Sequence, residues 1–590
     1  MTNQEVVRIL RNVAAVYSIK DEKKHIFQII AYQKASDAIA NLPVELKDVL
    51  AEENRQKIPG VGPSILAYLE ELFKTGKVRH FESITGNVPE SVFPLLDVTT
   101  FGPKKAYKLV NSLKLNNPDT IIDDLIRAGQ SGKIAKIPTF GEKSQEDIVR
   151  ALEEFKLGKI KSNRMPLPYA FELAKKLETH LKKNKDAIEV YPLGSLRRMM
   201  PTVGDIDFAV ATNNPGKIIE HFVNYPGCER VIEKGPTSSS ILVSGGRQAD
   251  LMAQDPESFG GLLQHFTGSK YHNVALREFA IKKGLSLSEK GIKIKEGKAE
   301  KTKLFKTEED FYGFLGMDWI PPEMRENRGE IELALQHDIP RLVDIKNVRG
   351  DLHVHSRYPI EPSHDLGKNT MEEMIEKAAE LNYEYIAFSE HNPGITNHNK
   401  NQIYSILKKR KEIIDQIRES TKSVRIINLL EVDITPSGDL AMDDKALGFV
   451  EAAIVSIHSV FRTPREEMTR RVLKGLSHPK ARILAHPSGR LINQREGYEL
   501  DYDRVFDFCL KNNKAIEINA WPTRLDLVDP LVFEARKLGV KFVINTDAHA
   551  TYQMDNMFYG VSVARRGWCE AKDILNTLPY EKFYEWITAH

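Results

Sequence analysis

Three cysteines in 590 residues, Cys228, Cys509 and Cys569, are too scattered and odd in number for a disulfide framework. Such usage implies a reducing cytoplasm. No apolar run approaches the ~18 residues that a membrane span needs. The opening MTNQEVVRIL lacks the basic-then-apolar layout of a signal peptide. An excess of one charge is missing too: 84 Lys and Arg nearly cancel 82 Asp and Glu, so any nucleic-acid surface must be local. Low-complexity tracts are absent. These absences leave a soluble, non-membrane globular chain, expected to act as a monomer and too long for one core; about three to five domains are expected.

Residues 1–157 read as helical, because apolar residues recur at three- and four-residue spacing in Val6–Tyr17, Ile26–Leu42, Ile65–Phe73 and Ile121–Ala128. One turn recurs between these stretches: IPGVG at 58–62, VTTFG at 98–102 and IPTFG at 137–141. A single one is an ordinary turn between helices. Spaced recurrence favours a hairpin whose backbone N–H groups meet DNA phosphates without reading bases, with Gly60, Gly62, Gly102 and Gly141 at the contact. Residues 187–253 read mainly as strands, and residues 258–320 as mixed helix and strand. Trp319–Gly329, with paired prolines and alternating charge, reads as a linker. From Arg349 apolar strands alternate with amphipathic helices. Seven strands are visible, DLHVH, YEYIAFSEH, RIINLLEVD, AAIVSIH, RILAH, AIEIN and KFVINTDAH, nearly all ending in His, Glu or Asp. In a parallel β/α barrel those ends converge on one face.

Two constellations carry chemistry. Gly194-Ser195 follows a strand, and after nine intervening residues come Asp205 and Asp207 in VGDIDFAV; Asp250 sits on the strand RQADLMA. Strand periodicity puts Asp205 and Asp207 on one face. Three close carboxylates repel unless cations are present, and Mg²⁺ or Mn²⁺ suits carboxylate oxygens with substrate phosphates. Two such ions can activate a 3′-hydroxyl and stabilise departing pyrophosphate. Gly194 permits close backbone approach to a triphosphate, and Ser195 and Arg198 can hold its oxygens. This spacing is a nucleotidyltransferase pattern.

The second constellation holds ten of the 17 histidines, in residues 351–590. His353, His355, His391, Glu431, His458, His486, Asp547 and His549 lie at or close to strand ends. Mixed imidazole and carboxylate donors suit Zn²⁺, Mn²⁺ or Fe²⁺. His398 and His478 fall in loop or helix-flanking stretches and read as surface residues.

HFTGSKYHNVALREFA (His265–Ala280), after the carboxylate pattern, resembles the family X DNA polymerases over residues 1–320. The resemblance implies a polymerase-beta-like, multidomain α+β and α/β chain: an N-terminal helical lobe with a helix-hairpin-helix at 1–85, fingers at 86–157, a nucleotidyltransferase palm at 158–255, a thumb at 256–320 and a linker at 321–344. It implies gapped or primed DNA and deoxynucleoside triphosphates as partners. Asn273 would contact the incoming nucleotide, Arg277 the template side, and Phe266 and His265 the sugar; Gly204 and Gly268 join the nucleotide-binding set. Thr100 and Thr139 stand where the family usually has hairpin glycines, and a Cβ there crowds a phosphate. Relatives with 5′-deoxyribose-phosphate lyase activity carry a Schiff-base lysine on the helix after the first hairpin. Here Pro63–Phe73 has none, and the matching position is Tyr68. Tyrosine cannot supply the amine, so little or no lyase activity is expected.

Residues 345–590 resemble the PHP (polymerase and histidinol phosphatase) domain, a distorted (β/α)7 barrel that bacterial family X polymerases often carry at this end. The resemblance implies metal-assisted phosphoester hydrolysis, here a 3′→5′ exonuclease or 3′-end trimming. The usual Ser-Asp-Gly after the first histidine pair is missing from HVHSRYPIEPSHDLG, which leaves Asp365 as the ninth ligand, with Glu361 and His364 as alternatives. Glu390-His391 replaces the usual Asp-His. The expected function is short-gap filling in DNA repair, coupled to a 3′ nuclease. The rival is a phosphoesterase whose other half binds DNA and polymerises weakly.

Overall fold

The computed structural model describes residues 1–590 except 2, 41–45, 47–49, 51–60, 99–100, 157–163, 244–246, 297–298, 362–364 and 590. The Gly60, Thr100 and His364 expectations therefore lie outside the described residues. Two compact units form: 1–165 with 169–191 and 204–253, and 166–168 with 192–203 and 254–590.

The first unit opens with helices. Ile121–Gln130 shows why: Ile121, Leu125 and Ala128 are buried on one face, and Asp123 and Asp124 in its first turn complement the helix dipole. Two hairpins end in equivalent caps. Gly62 and Gly102 each precede a proline at the first helical position, with φ, ψ of −72°, 160° and −79°, 159°. A Cβ at Gly62, Gly102 or Gly141 would meet nothing within 4 Å, so the chain is open at each of these three glycines. Thr139 takes φ +79°, a glycine-like value, and its hydroxyl accepts from Lys108 Nζ at 3.0 Å. The expected boundary between lobe and fingers at residues 85 and 86 is not a break in packing: one core runs from Val6 and Leu10 through Leu69 and Leu109 to Leu152. A five-stranded sheet follows, in the order Glu189–Pro192, Ile206–Ala211, Arg247–Gln254, Ser238–Val243, Cys228–Lys234.

In the second unit, helices Phe259–Thr267 and Lys270–Lys282 and the antiparallel sheet Leu285–Ser288, Gly291–Glu296, Ala299–Lys303 form the expected thumb. The segment 321–344, expected as a linker, is packed over part of its length. Ile320, Met324 and Arg325 are fully buried, and Ile331 and Ala334 join one cluster with Leu276, Phe311, Phe533 and Trp568. Two of the segment's charges are buried in pairs, Arg325 donating to Glu308 and Glu330 pairing with His272, while Glu332, Asp338, Arg341 and Asp344 are exposed.

All seven expected barrel strands are present in chain order: Gly350–Val354, Tyr385–Phe388, Arg425–Asp433, Ala452–Ser456, Ala481–Leu484, Ala515–Asn519 and Lys541–Asn545. Each neighbouring pair is parallel, and a parallel bridge between Val354 and Ala548 joins the last strand's end to the first. Burial on both strand faces explains the continuous apolar runs. The C-terminal helix Tyr580–Thr588 closes the barrel floor, with Phe583 stacked on Tyr385 at 5.1 Å.

Candidate active sites

Asp205 immediately precedes the strand Ile206–Ala211, which carries Asp207, and Asp250 lies on the adjacent strand Arg247–Gln254. One carboxylate oxygen from each lies within 4.8 Å of the others. Burial first, then the charges of Asp205 and Asp250, push Asp207 up to about 7. Gln248 Nε2 donates to both Asp250 oxygens at 3.0 Å and holds that carboxylate in place. An all-oxygen, mutually repelling set fits Mg²⁺ or Mn²⁺. Next to it in sequence, a Cβ on Gly204 would lie 3.1 Å from Arg164 Nη1, which favours glycine there.

The expected nucleotide-binding loop belongs to the second unit. Gly194, at φ +58°, starts the one-turn helix Gly194–Arg197. Arg197 is committed to Thr267 Oγ1 at 2.6 Å and Glu308 Oε2 at 2.7 Å. Burial pushes the Glu308 carboxyl up, but Arg325 and Arg197 outweigh it and hold it at about 2. Arg198 donates from Nε to Glu326 at 3.0 Å and from Nη1 to the Thr267 carbonyl at 2.5 Å. Gly268, at φ +70°, separates the two thumb helices, and a Cβ there would meet Arg198 Nη1 at 3.0 Å. Asn273 Nδ2 donates to the His265 carbonyl at 2.7 Å, and Asn273 Oδ1 accepts from Gln264 at 2.9 Å. Arg277 Nη2 lies 3.3 Å from His265 Nδ1, so these residues form one patch beside the partly exposed Phe266.

The histidine cluster sits at the C-terminal ends of the barrel strands and centres on Glu431. Its Oε2 lies 2.8 Å from His391 Nδ1, 3.2 Å from His353 Nε2 and 3.6 Å from His355 Nε2. Its Oε1 lies 3.0 Å from His486 Nε2 and 3.3 Å from His458 Nε2. Asp547 Oδ1 approaches His355 Nε2 at 3.3 Å and His353 Nε2 at 3.5 Å, and the His549 ring stacks on His355 at 4.1 Å. All eight expected residues therefore converge. His353 Nε2, both His355 nitrogens, His549 Nε2 and Glu431 Oε2 are buried without a hydrogen bond. Orphaned donors and acceptors at this density fit a multinuclear centre. Two of these residues, His486 at φ +25° and Asp547 at φ +56°, hold strained backbone that the cluster must stabilise.

Charge in the cluster is ordered. Burial works against the Glu431 carboxylate, but His391, His353 and His458 hold it well below the usual range. His353 and neighbouring histidines do the same for the equally buried Asp547. Burial and the nearby His549 and His391 push His355 well down; burial brings His458 to about 4. The carboxylates are thus ionised and these two imidazoles neutral, the forms that ligate metal. Burial opposes the protons on His353 and His391 too, but surrounding carboxylates raise both.

Asp365 is exposed, and its charge acts on His549. Glu361, one alternative, instead pairs with His398 Nε2 at 3.0 Å. His398 is more buried than expected, and His478 pairs with Asp444 at 2.9 Å. Several residues escaped the sequence. Glu517 accepts from His353 Nδ1 at 2.7 Å and from the His486 N–H at 2.7 Å. Asp433 lies 2.7 Å from His458 Nδ1, and Asn519 donates to Asp547 at 3.1 Å. The available signal was a charge inside the apolar strand AIEIN.

The sequence models of a helix-hairpin-helix domain, the DNA polymerase beta thumb and the PHP domain match residues 1–78, 262–326 and 351–520. The chain is 34% identical over 578 residues, 98% of its length and 97% of the relative's, to the DNA polymerase/3′-5′ exonuclease PolX of Bacillus subtilis strain 168. It is 22% identical to DNA polymerase lambda of Rattus norvegicus over 356 residues, 55% of this chain and 56% of that one. A "Probable phosphatase" of Clostridium acetobutylicum is 25% identical over 215 residues, 35% of this chain and 81% of that one.

Proposed function

The chain belongs to the bacterial family X DNA polymerases that carry a C-terminal PHP domain, and on that premise we propose that it fills short gaps in DNA and hydrolyses 3′ ends at a separate site. The supporting observation is that one chain gathers both an aspartate triad and a buried histidine cluster. Asp205, Asp207 and Asp250 would hold Mg²⁺ or Mn²⁺, and the eight cluster residues with Asp365 would hold Mn²⁺, Zn²⁺ or Fe²⁺. Bound divalent ions supply Lewis acidity toward phosphate oxygens in both reactions. Gly194, Ser195 and Arg198 receive the triphosphate. His265, Phe266, Asn273 and Arg277 line the sugar and base side, and the turns at Gly62, Gly102 and Gly141 receive the DNA backbone. The setting is base excision repair in the cytoplasm, with the enzyme acting as a monomer.

Primer extension and 3′ degradation on gapped DNA, with Mg²⁺ and then Mn²⁺, test this reading. Asp205→Ala is expected to abolish extension and spare degradation; His355→Ala is expected to do the reverse. A wild-type protein that degrades 3′ ends but extends none would favour a phosphoesterase with a DNA-binding half.

A further inference from the structure

Arg566, the last residue of the barrel helix Met557–Arg566, is 1% exposed. Its side chain reaches the loop that carries Arg198. Nη1 donates to the Arg198 carbonyl at 2.7 Å and to Glu326 Oε1 at 3.1 Å, and Nη2 donates to Asp529 Oδ2 at 2.9 Å. The same Glu326 oxygen accepts from Arg198 Nε at 3.0 Å. Arg566 thus fixes both the backbone of Arg198 and the carboxylate that orients its side chain. Arg328 locks the other end, reaching Asp529 at 3.0 Å and the Arg566 carbonyl at 3.3 Å.

Two features of this junction exceed what docking requires. Among the described residues, Arg198, Arg566 and Arg328 form ion pairs with Glu326 and Asp529 alone, so one positive charge is left over. Arg198 spends Nε and one N–H of Nη1 on its protein partners; a guanidinium has five N–H donors, so three remain. A fork held at its base with its far edge uncommitted is preorganised for an anion.

We propose that Arg566 is a positioning residue for nucleotide binding: through Glu326, the PHP domain sets the Arg198 guanidinium that receives the triphosphate. This rests on the reading of Arg198 as a triphosphate ligand. It makes the PHP domain part of the polymerase's nucleotide site, independently of its own hydrolytic centre.

The test uses the full-length enzyme on gapped DNA, comparing Arg198→Ala, Glu326→Gln, Arg566→Ala, Arg566→Lys and the double variant Arg198→Ala/Glu326→Gln. Glu326→Gln and Arg566→Ala are expected to raise KM for the deoxynucleoside triphosphate by about tenfold with kcat within about threefold, the signature of lost binding. Degradation of single-stranded 3′ ends stays within about twofold of wild type, and Arg566→Lys recovers part of the KM loss. In the Arg198→Ala background Glu326→Gln adds less than about twofold, because both act through one group. A raised KM in Arg198→Ala with none in the Glu326 and Arg566 variants overturns the coupling alone. An unchanged KM in Arg198→Ala removes the triphosphate reading itself. Parallel loss of both activities in Glu326→Gln and Arg566→Lys reduces the junction to a fold contact and overturns the proposal.

Discussion

Glu517 Oε1 lies 2.7 Å from His353 Nδ1, and both side chains are fully buried beneath the histidine cluster. The contact fixes His353 with Nε2 turned toward Glu431 and Asp547. Carboxylates in this position orient a ligating imidazole and raise its basicity. Glu517→Gln is therefore expected to weaken metal binding at the PHP centre by about 10- to 100-fold. Metal retained after dialysis against graded chelator measures it. Exonuclease activity should fall at limiting metal and return with excess, while primer extension is unchanged. Equal metal retention in variant and wild type would remove the role.

Asp207 gives a pH dependence with a definite sign. Its folded-state pKa, about 7, stands above the ordinary 3.8. The metal-free folded protein therefore binds this proton more tightly than the unfolded chain, and loses stability as pH rises from about 4 to 7. A tenfold change in proton affinity is worth about 1.4 kcal/mol, so the loss reaches about 4 kcal/mol at most. In chelator at pH 8, Asp207→Asn should unfold at a higher temperature than wild type; near pH 4 the two should coincide. Mg²⁺ should stabilise the wild type at pH 8 and do much less for the variant. Thermal unfolding at both pH values, with and without chelator, checks each statement.

The contrast between these residues shows what a single sequence exposes. Asp205 and Asp207 declare themselves by strand period, and the barrel's histidines by ending apolar runs. Glu517 sits mid-strand in AIEIN, where only its partner across the barrel explains a charge. Trp319–Gly329 reads as a linker because alternating charge normally marks solvent. Arg325 is instead neutralised by Glu308, and Glu326 by Arg198 and Arg566. Partners so far away in the chain leave no local pattern, so the junction between thumb and barrel is invisible in the sequence.

Tyr68 lies flat on His80, ring centroids 4.6 Å apart at 12°, with Phe81 edge-on at 5.5 Å. Tyr68, expected from the resemblance to stand where lyase-active relatives carry the lysine, is thus part of an aromatic stack and offers no amine. Borohydride treatment in the presence of a 5′-deoxyribose-phosphate end is expected to trap no covalent adduct above background. A trapped band would mean that another lysine serves as the nucleophile. Tyr68→Lys would also lose the stacking, worth about 0.5–1.5 kcal/mol, so it should lower stability slightly.

Glu390, beside His391, is held by a network that explains what its side chain does. Oε2 accepts from Arg410 Nε at 2.7 Å, and Oε1 from the Ser356 N–H at 3.1 Å and hydroxyl at 2.5 Å. Arg410, 1% exposed, also donates to Asn428 and to the Phe388 carbonyl at 2.9 Å. Glu390 is therefore spent on tying Ser356, next to His355, to a buried arginine. Breaking a buried pair by removing one partner costs about 3–5 kcal/mol, because the other charge is stranded, whereas replacing both with apolar residues of similar volume often costs far less. Arg410→Met and Glu390→Met are each expected to destabilise the barrel by that amount, and the double variant by less than either alone. Exonuclease activity should fall in all three, since Ser356 loses its anchor beside His355, while primer extension survives in the double variant. Denaturant unfolding of the full chain, followed by both assays, decides it; single and double variants that lose stability additively would show that Glu390 and Arg410 act separately.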